Sequence, residues 1–174
     1  LDKNSVLKEL IIDEDYRKLL LNKSQRAFYP LNERTSFKVN KFFRELTKNK
    51  KFQQPKLNVR GRELIINEFY EGIIKFDFKD LCKKNLGAED FIAISNISKF
   101  VIITNIPNFN DTNADQQQRF ITLIDILYEK KVYLLISMAC SFDKLKSASG
   151  LIEPFKRTQS RLIELTSTKD KFSP

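Results

Sequence analysis

The sequence predicts an α/β fold in which a mainly parallel sheet is flanked by helices and preceded by a short N-terminal helical segment. Two near-continuous apolar runs, residues 100–104 and 132–137, are typical of strands buried on both faces, as parallel strands are. Between them, residues 113–130 place apolar side chains at helical spacing. Because strand, helix and strand follow one another within about forty residues, we expect a parallel βαβ unit.

The N-terminal part of the chain is predicted to be a separate segment. The apolar run at residues 10–12 predicts a short strand, and aromatic and aliphatic side chains recur at helical spacing within residues 37–46. Residues 48–55 are polar and end at a proline, which favours a linker. We therefore divide the chain into a helical segment, residues 1–50, and a C-terminal α/β domain, residues 51–174.

The first part of the α/β domain is predicted to be β-structure. Apolar residues 57–59 and 64–66 flank an Arg-Gly-Arg sequence, and this spacing predicts a hairpin that turns at Gly61. Residues 72–78 alternate and are rich in strand-forming side chains, so they predict a further strand. This strand would lead directly into the helical part of the domain.

Two helices are expected before the first buried strand. Asp77 is placed to cap a short helix that carries Leu81 and Cys82, and Gly87 is expected to end it. Residues 88–98 have Phe91 and further apolar side chains at helical spacing, which predicts the second helix.

Two more helices complete the prediction. Thr112 or Asn113 can cap the long helix, which runs to about residue 130. Its apolar face is wide enough to be covered on more than one side: Phe120, Ile121, Leu123, Ile124, Ile126, Leu127 and Tyr128. Pro154 is expected to open the last helix, which ends near Thr166.

The composition excludes several classes of chemistry. The chain has no histidine, which removes histidine general bases, Ser-His-Asp triads and histidine-ligated zinc from this chain. Its two cysteines, Cys82 and Cys140, are far apart, which favours a reducing compartment and no disulfide framework. No apolar stretch approaches the ~20 residues of a transmembrane helix. The absence of an initiator Met indicates a fragment or a processed chain.

The chain is basic, with 31 Lys and Arg against 22 Asp and Glu and a net charge of +9. Such a balance fits nucleic acid, acidic partners or anionic lipid, and it also fits a general lysine-rich composition. The densest patch, residues 48–51, is interpreted as a solvated loop. Phe76, Phe78 and Phe91 are candidates for stacking on single-stranded nucleic acid, but their apolar faces favour core packing.

A phosphate-binding loop is missing from the sequence. None of the four glycines belongs to a G-x-x-x-x-G-K-[ST] motif, so this chain alone should not hydrolyse ATP by the P-loop mechanism. Residues 10–14 end in Asp-Glu like a Walker B strand, but a strand that runs into an acidic turn is the favoured interpretation. The strand at residues 100–104 is followed by Asn105 rather than an acid, which favours a core strand without metal chemistry.

Three arginines are the candidate functional side chains. Arg119 lies one helical turn after Asp115 and can pair with it. Arg157 and Arg161 lie one turn apart, so together they can clamp a phosphate or a carboxylate. They can equally hold Glu164 and the neighbouring loop, and the residue pattern alone favours that structural role.

Five stretches of the chain resemble one known family. Residues 75–82 (KFDFKDLC) and 86–91 (LGAEDF) resemble the F-x-F-x-x-L-C and L-G-A-x-D-Y signature of the ZapE family of AAA+ ATPases, whose mitochondrial relatives are the lactation-elevated or AFG-type ATPases. Residues 15–17 (DYR), 119–128 (RFITLIDILY) and 157–164 (RTQSRLIE) agree in the same order. The resemblance covers nearly the whole chain but only the C-terminal portion of the family.

The resemblance implies an ATP-driven, ring-forming AAA+ protein whose core ends in residues 1–50. It implies ATP and Mg²⁺ as cofactors of the full-length family member and none for this chain alone. The implied partners are the upstream AAA+ core, other subunits of the same protein, and division-ring or client proteins. It implies a cytoplasmic location, with association at the inner membrane face.

The same resemblance makes Arg161, Arg157 and Arg119 candidates for an arginine sensor or arginine finger, with no catalytic residue assigned with certainty. Arg157 and Arg161 match the family fully, whereas Gln118 stands where the family has the first arginine of its Arg-Arg-Phe motif. The leading hypothesis is therefore the C-terminal region of a ZapE-like AAA+ ATPase, which acts in cell division or protein quality control. The alternative is a non-enzymatic binding module for nucleic acid or acidic partners, and an idle product of a split gene is the third hypothesis.

Overall fold

A mixed sheet forms the centre of the computed structural model, which describes residues 26–167. Within these residues the sheet has six strands, and their bounds in chain order are as follows: β1 (Ala27–Phe28), β2 (Phe52–Gln53), β5 (Phe69–Tyr70), β6 (Ile73–Asp77), β7 (Phe100–Ile106) and β8 (Tyr133–Met138). The spatial order is β1-β8-β7-β6-β5-β2. The first four strands in this order are parallel, and β5 and β2 are antiparallel at one edge. The predicted α/β fold with a mainly parallel sheet is confirmed.

Helices cover both faces of the sheet. Their bounds are α1 (Glu33–Thr47), α2 (Ala88–Ile97), α3 (Ala114–Glu129) and α4 (Ile152–Thr166). Helix α1 packs its apolar side chains against one face of the sheet. The smaller core formed there consists of four helix residues and four strand residues: Val39, Phe42, Phe43 and Leu46 from α1, and Ile73, Phe100, Ile102 and Leu135 from the strands. The three other helices contribute to the larger core on the opposite face.

The position of strand β7 explains why residues 100–103, at the start of the predicted run, are all apolar. Phe100 and Ile102 belong to the core under α1, whereas Val101 and Ile103 belong to the core under the other helices. Successive side chains of a strand point to opposite faces, so a strand covered on both sides needs an apolar residue at every position. The parallel register of Val101 with Leu134 completes the predicted βαβ unit.

The predicted hairpin consists of β3 (Lys56–Val59) and β4 (Arg62–Ile65). Its two turn residues, Arg60 and Gly61, have φ angles of 49° and 75°, as a two-residue turn between twisted strands requires. The Arg62 guanidinium donates to Asp90 at 2.5 Å, and Arg60 pairs with Glu89. These contacts fasten the hairpin to the first turn of α2.

Several boundaries differ from the sequence-based expectation. The helix expected around Leu81 and Cys82 is a single π-helical turn (Lys79–Lys83), and Asp77 accepts a hydrogen bond from the Lys79 amide at 3.0 Å. Gly87 does not end this turn; it directly precedes α2, and its amide donates to the Asp90 carboxylate at 2.8 Å.

The ends of the longer helices also differ in detail. Asn113, one of the two predicted caps of α3, is its N-cap residue, but its side chain makes no capping hydrogen bond to the helix. Asn113 and Thr112 also lie in a 3₁₀ turn (Asp111–Asn113) that is capped by Asn110. Helix α4 begins two residues before Pro154, which occupies its first turn, where the missing N–H leaves no helical hydrogen bond unmade.

The N-terminal predictions are only partly covered by the structure. The strand at residues 10–12, the acidic turn after it and the motif at residues 15–17 lie outside the described residues. The predicted helix at residues 37–46 lies within α1. The proposed division near residue 50 stays a prediction, and β1 and β2, one on each side of it, belong to the same sheet. Among residues 26–167, no helix is long and apolar enough to cross a membrane.

Candidate functional site

Two of the three predicted arginines meet on one carboxylate. Arg157 donates to Asp125 Oδ2 at 2.9 Å, and Arg161 donates to Asp125 Oδ1 at 2.5 Å. Asp125 lies on α3 and both arginines lie on α4, so the three charges tie the two helices together. The carboxylate clamp that the (i, i+4) spacing predicts is therefore present, but its carboxylate comes from α3.

Two further side chains complete this α3–α4 charge cluster, which we define as Asp125, Tyr128, Arg157, Arg161 and Glu164. The Arg161 guanidinium lies 4.7 Å from the centre of the Tyr128 ring, within the range of a cation–π contact. The Tyr128 hydroxyl donates to Glu164 at 2.8 Å, and this hydrogen bond raises the pKa of Tyr128. Arg161 is thus held from two sides.

The two arginines of the cluster differ in exposure. The side chain of Arg161 is 23% exposed, and that of Arg157 is 55% exposed. A guanidinium carries five N–H donors in a fixed fork, so Arg157 keeps donors that face solvent while it binds Asp125. Of the pair, Arg157 is the arginine that can reach a group outside the chain.

Arg119 belongs to a different place in the structure. Its guanidinium donates to the Cys82 carbonyl oxygen at 2.9 Å and to Asp115 at 3.3 Å, as the spacing of Asp115 predicts. It therefore fastens the π-helical turn to α3, and it shares no partner with Arg157 or Arg161. The three candidates do not form one site.

Cys82 is expected to resist thiol reagents in the folded chain. Its side chain is fully buried, and burial raises the pKa of the thiol to about 12, so the reactive thiolate is scarce at neutral pH. Cys140 is partly exposed. A chromogenic disulfide reagent at pH 8 should titrate one thiol per folded chain and two in denaturant. Rapid reaction of both thiols without denaturant would contradict this burial.

A polar cleft lies where the carboxyl ends of β6, β7 and β8 meet the N-terminal half of α1. Its volume is about 360 Å³. The lining side chains are mostly polar: Ser36, Val39, Asn40, Glu68, Lys75, Asp77, Asp80, Thr104, Asn105 and Ser137. The crevice outside the carboxyl ends of parallel strands is where open α/β sheets commonly bind ligands.

Hydrogen bonds order the cleft. Asn105 has a φ of 63°, and its side-chain amide donates to Asp77 at 2.6 Å while its backbone amide donates to the Ser137 hydroxyl at 3.0 Å. Lys75 donates to Asn40 at 2.7 Å. Three carboxylates against one lysine make the lining an acceptor-rich surface. In the described part of the chain, no group of three metal-ligating side chains could hold a metal ion.

Little in the residue pattern indicated this cleft. The only signal was Asn105, a residue type that tolerates left-handed backbone, directly after the predicted strand. The phenylalanines considered for stacking are core residues instead, since Phe78 and Phe91 are fully buried and Phe76 is packed against the same core.

A model of the AFG1-like ATPase family matches residues 8–171 of this chain, which is nearly its whole length. The chain belongs to the AFG1-like ATPase family. The predicted resemblance is confirmed by this match and by the two relatives described next.

Individual relatives agree with the family assignment. Lactation elevated protein 1 homolog B of Danio rerio is 31% identical over 159 residues, which are 90% of this chain and 32% of that protein. Cell division protein ZapE of Escherichia coli strain K12 is 27% identical over 153 residues, 88% of this chain and 41% of that protein. The chain thus spans less than half the length of these AFG1-like relatives. No solved structure matches it significantly.

Proposed function

We propose that this chain is the C-terminal module of an ATP-hydrolysing AFG1-like ATPase. The module completes the subunit, and ATP and Mg²⁺ are held mostly by residues outside it. Two facts support this: the family match covers residues 8–171, and the sequence contains no phosphate-binding loop. The relatives are more than twice as long as the matched segment, which leaves ample chain for a nucleotide-binding core.

Within this module we assign different roles to the three arginines. Arg161 and Arg119 are positioning residues, because each is largely covered and binds partners on a neighbouring element. Arg157 contacts the nucleotide or a neighbouring subunit, because it is more than half exposed and keeps free donors. The different roles of Arg157 and Arg161 are proposed from their shared partner, because Asp125 binds both arginines while the Arg157 side chain stays at the surface.

The process that the ATPase serves is proposed from its relatives. One relative is named as a cell division protein, so cell division is our first assignment and protein quality control is the second. The proposed partners are the upstream ATPase core, other copies of the same subunit, and division-ring or client proteins. The proposed location is the cytoplasm.

Replacing Arg157 with alanine in the full-length ATPase is expected to lower ATP turnover at least about tenfold, because an arginine that reaches a transferring phosphate stabilises its developing charge. The melting temperature should change little, because the Arg157 side chain is mostly exposed and Arg161 still binds Asp125 in this variant. Arg161→Ala should instead lower the melting temperature. Steady-state phosphate release and differential scanning fluorimetry measure the two effects.

Lys156→Ala is the matched control for Arg157→Ala. Lys156 is the preceding residue on α4 and its side chain is 64% exposed, and among the described residues its charge pairs only with Glu153, at 2.8 Å. Turnover of this variant should equal that of the parent protein. If Arg157→Ala also turns over ATP at the parent rate, the cluster is structural and the contact role is wrong. Unchanged turnover with intact folding for Arg161→Ala would likewise exclude a catalytic role for Arg161.

A further inference from the structure

The outer face of α1 combines positive charge with an exposed aromatic ring. Val39 and Phe43 and their neighbours bury one side of this helix in the core, so the opposite side faces solvent. Phe37 lies near the middle of the solvent side and is 61% exposed. Four cations occupy exposed positions around it: Arg34, Lys38, Lys41 and Arg44.

The positive surface continues past the end of the helix. Lys48 and Lys51 are exposed and Lys50 is partly exposed, and Phe52 follows them with half of its surface exposed. The ring of Phe52 lies 5.4 Å from that of Tyr70, which in turn lies 5.7 Å from that of Phe43 on α1. Phe52 is therefore on the same side of the sheet as α1.

We call this surface the α1 basic face and define it by its seven cations and two phenylalanines: Arg34, Phe37, Lys38, Lys41, Arg44, Lys48, Lys50, Lys51 and Phe52. Across residues 33–52, seven basic residues stand against Glu33 and Glu45. Their net charge of +5 is more than half of the +9 of the whole chain.

Within residues 26–167, no acidic side chain forms an ion pair that would neutralise the charge of this face. All the ion pairs between described side chains involve other cations, so none of the seven is paired with an acid within residues 26–167. A concentration of like charges without partners favours an anionic ligand, because each additional charge costs energy until a counter-charge approaches.

Exposed apolar side chains concentrate in the same stretch of chain. The described residues include eight large apolar side chains that are clearly exposed, and four of them fall between residues 29 and 52: Tyr29, Leu31, Phe37 and Phe52. Cations interleaved with exposed aromatic and aliphatic side chains are typical of surfaces that lie in the headgroup region of a bilayer.

The shape of this face favours a membrane over a nucleic acid strand. A single-stranded nucleic acid is usually held in a positively charged groove, whereas the outer surface of a helix is convex. The cleft beside α1 is lined by Glu68, Asp77 and Asp80, which repel phosphates. A planar anionic bilayer needs no groove, and clusters of four to eight Lys and Arg on a helix surface are typical of binding to acidic lipids.

We propose that the α1 basic face binds the surface of anionic lipid membranes. The cations lie against the acidic headgroups, while the rings of Phe37 and Phe52 enter the interfacial region. Binding is peripheral and reversible, because the apolar stripe of α1 stays in the protein core. This surface is separate from the α3–α4 charge cluster, so it does not depend on the function proposed above.

Co-sedimentation of the 174-residue chain with lipid vesicles tests the proposal. The chain should bind vesicles of phosphatidylcholine mixed with phosphatidylglycerol and should not bind vesicles of phosphatidylcholine alone. Each Lys near an anionic surface strengthens binding about fivefold, so the double substitution Lys38→Glu and Lys41→Glu should weaken it at least about thirtyfold. Phe37→Ala should weaken vesicle binding about tenfold at unchanged charge, because the variant lacks the aromatic ring that enters the bilayer interface.

A matched control separates surface binding from net charge. Lys144 and Lys146 are exposed on the loop after β8, on the other side of the sheet, where Leu145 between them packs into the larger core. Their double substitution by glutamate gives the same net charge and should bind within about twofold of the parent chain, because these lysines lie outside the α1 basic face.

Three results would overturn the proposal. The first is equal loss of binding in the two double variants, and the second is equal binding to vesicles with and without phosphatidylglycerol. The third is no vesicle binding together with binding of a single-stranded oligonucleotide that Lys38→Glu and Lys41→Glu abolish, which would make this face a nucleic-acid surface. Circular dichroism should show that all the variants are folded, since every substituted side chain is exposed.

Discussion

Replacing Asp125 with asparagine is expected to lower the free energy of unfolding by about 2–3 kcal/mol, because hydrogen bonds between charged groups each contribute roughly 1.5–3 kcal/mol. The neutral amide can still accept from one arginine, but it places an N–H₂ group against the other. Arg161 is three-quarters covered and would keep its charge without the carboxylate that now binds it. Loss of this carboxylate also weakens the attachment of α4 to α3.

Chemical denaturation monitored by circular dichroism measures this effect, and the melting temperature should fall by roughly 5–10 °C for a chain of this size. Asp115→Asn is the matched control on the same helix. Its carboxylate is 64% exposed and pairs one turn away with Arg119, so the loss should be below about 0.5–1 kcal/mol. Equal destabilisation by the two substitutions would mean that the cluster does not hold the helices together.

The central layers of this fold could be predicted because local side-chain patterns determine them. A strand that is covered on both faces needs apolar side chains on both sides, and residues 100–103 show this pattern. Helices α1 and α3 each cover a face of the sheet, so their apolar side chains repeat at helical spacing. The turn at Gly61 could also be predicted from neighbouring residues alone, because a two-residue turn between paired strands needs left-handed backbone and glycine adopts it readily.

The candidate site was harder to predict because its contacts join residues that are distant in sequence. Asp125 and Arg161 are 36 positions apart, and the pattern of α4 alone pointed to Glu164 as the acid that Arg157 and Arg161 would hold. Glu164 instead accepts from Tyr128 on α3. The polar cleft at the carboxyl ends of β6, β7 and β8 also joins residues that are distant in sequence. It depends on the parallel register of these three strands, which no local pattern specifies.

The basic stretch at residues 48–51 shows a different reason why part of the structure could not be predicted from the sequence. As a run of letters it is typical of a solvated loop, and its four residues are largely exposed, as that interpretation expects. Its further meaning comes from the helix before it, whose orientation is fixed by Phe42 and the rest of the buried stripe. Because the apolar side of α1 is buried against the sheet, the cations of this helix and Phe37 are exposed together on its opposite side.

Phe120 is the α3 member of an aromatic cluster, centred on Phe109, that links this helix to the rest of the larger core. Its ring centre lies 5.8 Å from that of Phe78 and 5.7 Å from that of Phe109, and Phe109 meets Phe155 of α4 at 5.5 Å. Phe120 is fully buried. It follows Arg119, so the same turn of α3 carries the arginine that fastens the π-helical turn and the ring that anchors the helix.

Phe120→Ala is therefore expected to lower the free energy of unfolding by about 3–5 kcal/mol, since it removes a fully buried ring and leaves a cavity. Phe37→Ala makes the same chemical change at an exposed position of α1 and should cost less than about 0.5 kcal/mol. Urea unfolding curves of the two variants measure the difference, and Phe120→Leu serves if Phe120→Ala does not fold. A loss below about 1.5 kcal/mol for Phe120→Ala would show that the aromatic cluster contributes little. A stable Phe37→Ala variant would also ensure that its weaker binding to vesicles reports on the membrane contact and not on unfolding.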